Sequence, residues 1–361
     1  MSSLLPSLSE GVFGRSPTDV HAARLATPFV PVTPVREGTL ELDRLPLQLG
    51  GRLEGVRVAW RVTGNPDGPL VAALGGISAG RVVADIGTRE KGWWCEVIGA
   101  GKALDTERCQ VLGIDFLGGS GATTGPRPGQ TNFPSISTYD QAEILRRVVE
   151  HLHAAPLAAI VGASYGGMVA LAFAERYPQL VKHVVTISAA DRPHPMATAW
   201  RSVQRAVVRY AAKNGDSPEG LRLARALAMA TYRSPEEFAV RFSGAPSRID
   251  GRFQFPVEAY LLARGDAYAA TYVPEAFVCL SESIDLHTVD ASRIRVPVTL
   301  VGILEDQLIP ISDLRSLQAR LGGEASLVEL SSLYGHDAFL KEGAALEPVF
   351  ARALEGQAGQ P

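Results

Sequence analysis

Ala158-Ala-Ile-Val-Gly-Ala-Ser-Tyr-Gly-Gly-Met-Val-Ala-Leu-Ala-Phe-Ala-Glu-Arg176 decides the reading of this chain. The apolar run Ala158 to Val161 stops at Gly162-Ala163-Ser164-Tyr165-Gly166, and a strong helix-forming stretch with small residues begins at Gly167. A strand that passes into a helix through Gly-x-Ser-x-Gly matches a nucleophile elbow, where the backbone reverses so sharply that larger side chains beside the serine would clash. The pattern occurs again at Gly76-Ile77-Ser78-Ala79-Gly80, after the apolar run Leu70 to Leu74, but there the sequel Arg81 to Gly92 is irregular. Ser164 is therefore the candidate nucleophile and Ser78 a turn serine. The early loop Gly75-Gly76-Ile77 has a different use: the backbone N–H of Ile77, with that of Tyr165 just after the nucleophile, suits an oxyanion hole.

Outward from the elbow, short apolar runs recur at Val56 to Val62, Leu70 to Leu74, Gln110 to Ile114, His183 to Ile187, Val296 to Ile303 and Ala325 to Leu330. Several are apolar throughout, which suits central strands of a mostly parallel sheet covered by helices on both faces. Between His183 to Ile187 and Val296 to Ile303 the rhythm stops for about 105 residues, too long for a bare loop, and the content is helical at Ala197 to Tyr210, Pro218 to Met229 and Ser234 to Phe242. The expected organisation is an N-terminal arm over 1–45, a core over 46–190 and 285–355, a helical cap over 191–284 and a tail over 356–361. The fold class is α/β, specifically an α/β-hydrolase fold with an inserted helical cap.

A serine hydroxyl needs a histidine base, itself oriented by a carboxylate, and in this fold the order along the chain is Ser, acid, His. Of seven histidines, only His287 and His336 lie late enough, and His336 sits in the loop after the last expected strand. The acid should follow Val296 to Ile303, where Glu305 and Asp306 are adjacent; Asp306 is the candidate. His151, His153 and His194 read as surface or packing residues, and no His/Cys spacing suggests a metal site.

Lys plus Arg number 35 and Asp plus Glu 38, a formal charge of −3, which offers no footprint for nucleic acid. Cys95, Cys109 and Cys279 are three, far apart, and fit neither a disulfide framework nor a zinc site, so a reducing cytoplasm suits them. No export signal or membrane-length apolar run is visible.

On several segments the chain resembles the homoserine O-acyltransferases of the α/β-hydrolase fold, enzymes of methionine biosynthesis. Gly92-Trp-Trp continuing to Ala103-Leu-Asp-Thr106, Leu117-Gly to Thr124-Gly-Pro126, Ser164-Tyr-Gly-Gly-Met168, Val203-Gln-Arg205 and Gly335-His-Asp-Ala-Phe-Leu340 are similar to family segments over about residues 55 to 345. The resemblance implies that Ser164, Asp306 and His336 form the catalytic triad, that Asp337 holds the amino group of homoserine, and that Arg225, seven positions before Tyr232, holds its carboxylate with that tyrosine. It implies acyl-CoA as co-substrate with no bound cofactor, and a homodimer built through cap helices. Acetyl-CoA is the expected donor, with succinyl-CoA the alternative; in that case Arg81 is the candidate for the free succinyl carboxylate, and serine an alternative acceptor. A capped serine esterase with the same triad and a catalytically silent binding protein are the rival readings. Departures fall at Val169, where a Gln is expected, and around Asn214 to Glu219.

Overall fold

A computed structural model describes residues 33–87 and 90–355. The apolar runs become strands of one sheet: β1 (Val35–Pro46), β2 (Arg52–Gly64), β3 (Leu70–Leu74), β4 (Gln110–Ile114), β5 (Ala159–Ala163), β6 (Val184–Ile187), β7 (Val298–Ile303) and β8 (Ala325–Leu330), in the order β1-β2-β4-β3-β5-β6-β7-β8. From β4 onward neighbours run parallel, while β2 is antiparallel to both β1 and β4. Every residue of β3, β5 and β6 is buried, as continuous apolar strands must be when helices cover both faces. One covering layer contains α1 (Thr138–His151) and α2 (Tyr165–Arg176), and the other is closed by α9 (Gly343–Leu354). In α1, Ile144, Leu145, Val148 and Val149 are buried at helical spacing.

The arm expected over 1–45 needs correction. Val35–Pro46 is the edge strand β1, paired with β2 from Val35 opposite Thr63 to Pro46 opposite Arg52. Leu40 and Leu42 turn partly inward and Leu45 is fully buried, whereas Thr39, Glu41, Asp43 and Arg44 are exposed. An edge strand covered on one side reads as mostly polar. Residues 1–32, which hold the rest of that expected arm, and the expected tail at 356–361 lie outside the described residues.

Between β6 and β7 the chain runs through α3 (Pro195–Lys213), α4 (Ser217–Tyr232), α5 (Pro235–Arg241), a hairpin of Ser247–Ile249 with Arg252–Gln254, α6 (Pro256–Ala269) and α7 (Pro274–Asp285). Its helix starts follow capping chemistry: Asp216 accepts from the Glu219 N–H at 3.3 Å, and Ser234 Oγ from the Glu237 N–H at 3.0 Å. The excursion closes on itself, because the Val289 N–H donates to the Asp191 carbonyl at 3.0 Å. Arg320 of α8 (Ile311–Arg320) grips the buried Asp191 carboxylate through two bonds of 2.7 and 2.9 Å, a geometry that a planar guanidinium favours. Among the described helices none is long and apolar enough to cross a membrane, and all three cysteines are free and buried.

Candidate active site

Ser164 follows β5 directly, at φ 54° and ψ −122°, a backbone state that costs a non-glycine residue roughly 1–3 kcal/mol. Its surroundings leave no alternative. The Ser164 N–H donates to the Ile187 carbonyl of β6 at 2.8 Å, and the Ser164 carbonyl accepts from Gly167 and Met168 at 3.0 and 3.2 Å. A Cβ on Gly162 would lie 2.3 Å from the Gly166 carbonyl oxygen, and one on Gly166 would lie 2.2 Å from that of Leu74. The glycines are thus required by close backbone approach, and the serine hydroxyl is left facing a cavity.

His336 enters that cavity from a short 3₁₀ turn, Gly335–Leu340, after β8. Its Nε2 is 2.9 Å from Ser164 Oγ and its Nδ1 is 2.7 Å from Asp306 Oδ2. Asp306 Oδ1 accepts from the N–H groups of Leu308 and Ile309 at 2.8 and 3.1 Å, so both carboxylate oxygens are held. With the proton on Nδ1, Nε2 is free to accept from the serine. Burial alone would lower the His336 pKa; the charge and hydrogen bond of Asp306, with the charge of Asp337, outweigh it and raise the pKa above its ordinary value, against an opposing effect of Arg201.

The rivals have structural duties. His287 is buried, with Nδ1 2.8 Å from Thr138 Oγ1 and Nε2 3.1 Å from the Ala190 carbonyl, and burial lowers its pKa to about 4. Glu305 accepts from Ser331 Oγ at 2.5 Å and the Ser332 N–H at 2.8 Å. Ser78 Oγ donates to Tyr268 Oη at 3.0 Å.

A cavity of about 190 Å³ is lined by the 76–79 loop, Ser164, His336, Arg225, Tyr232 and Asp337, among others. Among the described residues no acceptor is paired with the backbone N–H of Ile77 or Tyr165, while the Ile77 carbonyl accepts from Tyr272 Oη at 2.7 Å, which braces the loop. Arg225 has no acidic partner among the described residues. Its guanidinium lies 4.6 Å from the centre of the Tyr268 ring and 5.3 Å from that of Tyr232, positions that hold a cation without neutralising it. Asp337, on the same wall, lies 3.3 Å from Arg233. Burial raises its pKa, opposed by the charges of Arg233, His336 and Arg225.

Arg81 is a correction. Its Nη1 donates to Asp115 Oδ2 at 2.5 Å and its backbone N–H to Oδ1 at 2.7 Å, and it does not line the cavity. Asp115 is buried and needs that cation, so the charge is not available to a ligand. Tyr268, Tyr272, Arg233 and Arg201 were not singled out from sequence. The Tyr268 and Tyr272 pair, four positions apart at the end of α6, was the visible signal for the first two.

A family model described as alpha/beta hydrolase fold matches residues 74–343. A homoserine O-succinyltransferase from Xanthomonas campestris pv. campestris is 38% identical over 94% of this chain and 93% of its own. A homoserine O-acetyltransferase from Clavibacter michiganensis subsp. michiganensis is 32% identical over 89% and 94%. The chain belongs to the homoserine O-acyltransferase family of α/β hydrolases. The crystal structure of homoserine O-acetyltransferase from Bacillus anthracis has the same fold, with TM-score 0.81 at 19% identity over 89% of this chain and 98% of that one.

For this family member, Gly166→Ala should cost about 2 kcal/mol because strand β3 must yield to the new methyl group, seen as a Tm lowered by several degrees. A fluorophosphonate probe should label the peptide carrying Ser164 and not that carrying Ser78. Because His336 must be neutral to accept the serine proton, the labelling rate should fall as pH drops through a midpoint above about 6.5. Asp306→Asn should move that midpoint downward and slow labelling by orders of magnitude, roughly 10⁴-fold; a pH series read by mass spectrometry checks both.

Proposed function

We propose that this chain transfers an acyl group from acyl-CoA to the side-chain hydroxyl of L-homoserine through an acylated Ser164. The observation that carries this reading is Arg225. A guanidinium without an acidic partner, set between two tyrosine rings in the same cavity as the nucleophile, needs an anion from a ligand, and a plain esterase has no use for it. Opposite charges are what an amino acid requires, and Asp337 on the same wall supports a role in holding its ammonium group. Tyr232 lies against both Arg225 and His336 and would fix where the carboxylate rests.

In the first half-reaction His336 takes the Ser164 proton as Oγ attacks the thioester carbon. The oxyanion is held by the amides of Ile77 and Tyr165. The C–S bond then breaks, and the CoA thiolate receives the proton from His336. In the second half the homoserine hydroxyl gives its proton to His336 and attacks the acyl carbon; the bond to Ser164 breaks and Oγ regains its proton. Residues 191–284 act as a cap that limits water around the acyl-enzyme, so that transfer outruns hydrolysis. The expected acetyl donor is supported by the acetyltransferase relative, and the succinyl alternative by the succinyltransferase relative.

The acyl-CoA thioesters should leave a mass adduct on wild type that is absent from Ser164→Ala, and sustained thiol release should require homoserine. Thiol release indifferent to any amino acid would point to the esterase reading. Arg225→Gln should raise KM for homoserine roughly 10- to 100-fold, the effect of losing a charge-assisted hydrogen bond, while acylation of Ser164 is little changed.

A further inference from the structure

The loop that carries Ile77 leaves β3 at Leu74 and is a thin partition. Ile77, Ser78 and Ala79 line the cavity that holds Ser164, and they also line a separate space of about 230 Å³ that touches Gly119, Ser120 and Gly121. A methyl group on Gly76 would meet nothing within 4 Å. With open space on both sides, hydrogen bonds decide where the amides of such a loop point.

The ends of the loop are tied to the core. The Gly75 carbonyl accepts from the Gly166 N–H at 2.8 Å, and the Gly80 carbonyl from Trp93 Nε1 at 3.0 Å. Its middle is tied to the cap. Tyr272 Oη donates to the Ile77 carbonyl at 2.7 Å, and Ser78 Oγ donates to Tyr268 Oη at 3.0 Å; among the described residues Ile77 and Ser78 make no other hydrogen bond. The Ile77 side chain is buried. With side chain and carbonyl both held, the nitrogen on the same Cα has one place left, and that nitrogen bears the N–H expected to meet the oxyanion.

The two tyrosines form one unit. Their rings stack at 4.7 Å and 17°, the Val273 N–H just after them donates to Ser120 Oγ at 2.7 Å, and the Tyr268 ring lies edge-on to buried Phe277 at 6.3 Å. Burial raises both phenol pKa values above their ordinary value, so the hydroxyls stay protonated at neutral pH. The same Tyr268 ring seats Arg225 at 4.6 Å. One pair of side chains therefore supports both the oxyanion amide and the cation proposed for the acceptor.

We propose that Tyr268 and Tyr272 are positioning residues of the oxyanion hole: the Tyr272 hydroxyl and the Tyr268–Ser78 bond hold the Ile77 amide where the tetrahedral oxygen forms, so that the cap completes the hole as well as covering it. The inference rests on the acyl-transfer reading above and adds two residues to the support of its transition state. An oxyanion donor is effective only when it is in place before charge develops. A loop released from the cap would go on binding substrates and lose rate.

Tyr272→Phe and Tyr268→Phe keep both rings and the seat of Arg225, and each removes one hydroxyl. Stopped-flow thiol release, with acetyl- or succinyl-CoA, whichever wild type uses faster, reads the acylation of Ser164. Tyr272→Phe should slow acylation roughly 10- to 100-fold, short of the roughly 10²- to 10³-fold loss from deleting a donor outright, with KM for both substrates within about twofold of wild type. Tyr268→Phe and Ser78→Ala should each slow it roughly 5- to 10-fold, the loss of one neutral bond, and the double variant no more than either alone, because both delete the same bond. Ethyl trifluoromethyl ketone, whose hemiketal with Ser164 carries the oxyanion, should lose affinity in each variant in proportion to the slowed acylation. Unchanged acylation in Tyr272→Phe, losses that fall on KM, or slower acylation with the affinity for the ketone intact would overturn the positioning role. A wild type that takes no acyl group from either thioester would instead defeat the acyl-transfer reading itself.

Discussion

The constraint on which the rest depends is the approach of three backbones at the end of β5. Gly162, Gly166 and the carbonyl of Leu74 are so close that a single methyl group would force strand and helix apart. That packing holds Ser164 in a backbone state it would otherwise avoid, with its hydroxyl beside His336 at the cavity wall. His336 and Asp306 reach the serine from loops after two parallel strands, β8 and β7. Parallel strands bring their C-terminal ends to one edge, so residues far apart in the chain converge without a dedicated scaffold.

Around this apparatus charge is distributed unevenly, and the imbalance carries the chemical information. Arg81 and Arg320 are committed to buried aspartates, so they serve the fold. Arg225 is held only by aromatic rings, and Arg201 competes with Arg205 for Asp285. In a site of low dielectric an unmet cation is an expensive feature to retain without a ligand. Arg225 and Arg201 both line chambers that touch Ser164.

The cluster of Ser164, His336 and Asp306 was legible because each sits at a strand end that apolar runs mark plainly, and because the order Ser, acid, His limits the choice. The helices of the insertion were legible from apolar spacing and from caps such as Ser234. Three things were not. Val35–Pro46 alternates too weakly to announce an edge strand. Arg81 stood one residue past the early serine motif, and nothing in the linear order shows that Asp115, buried 34 positions later, claims it. Arg201 lies in a helix with many arginines, where a solvated face is the ordinary reading; only the sharing of Asp285 across α3 and α7 distinguishes it.

The closing contact between Asp191 and Val289 has a consequence for how such a molecule can diversify. Because the helical excursion departs and returns at neighbouring points, its length and content can be rewritten without moving the sheet end that bears Ser164. Lineages could therefore trade one set of ligand-gripping side chains for another in a single modular exchange, keeping the bond-making machinery while changing what is delivered to it.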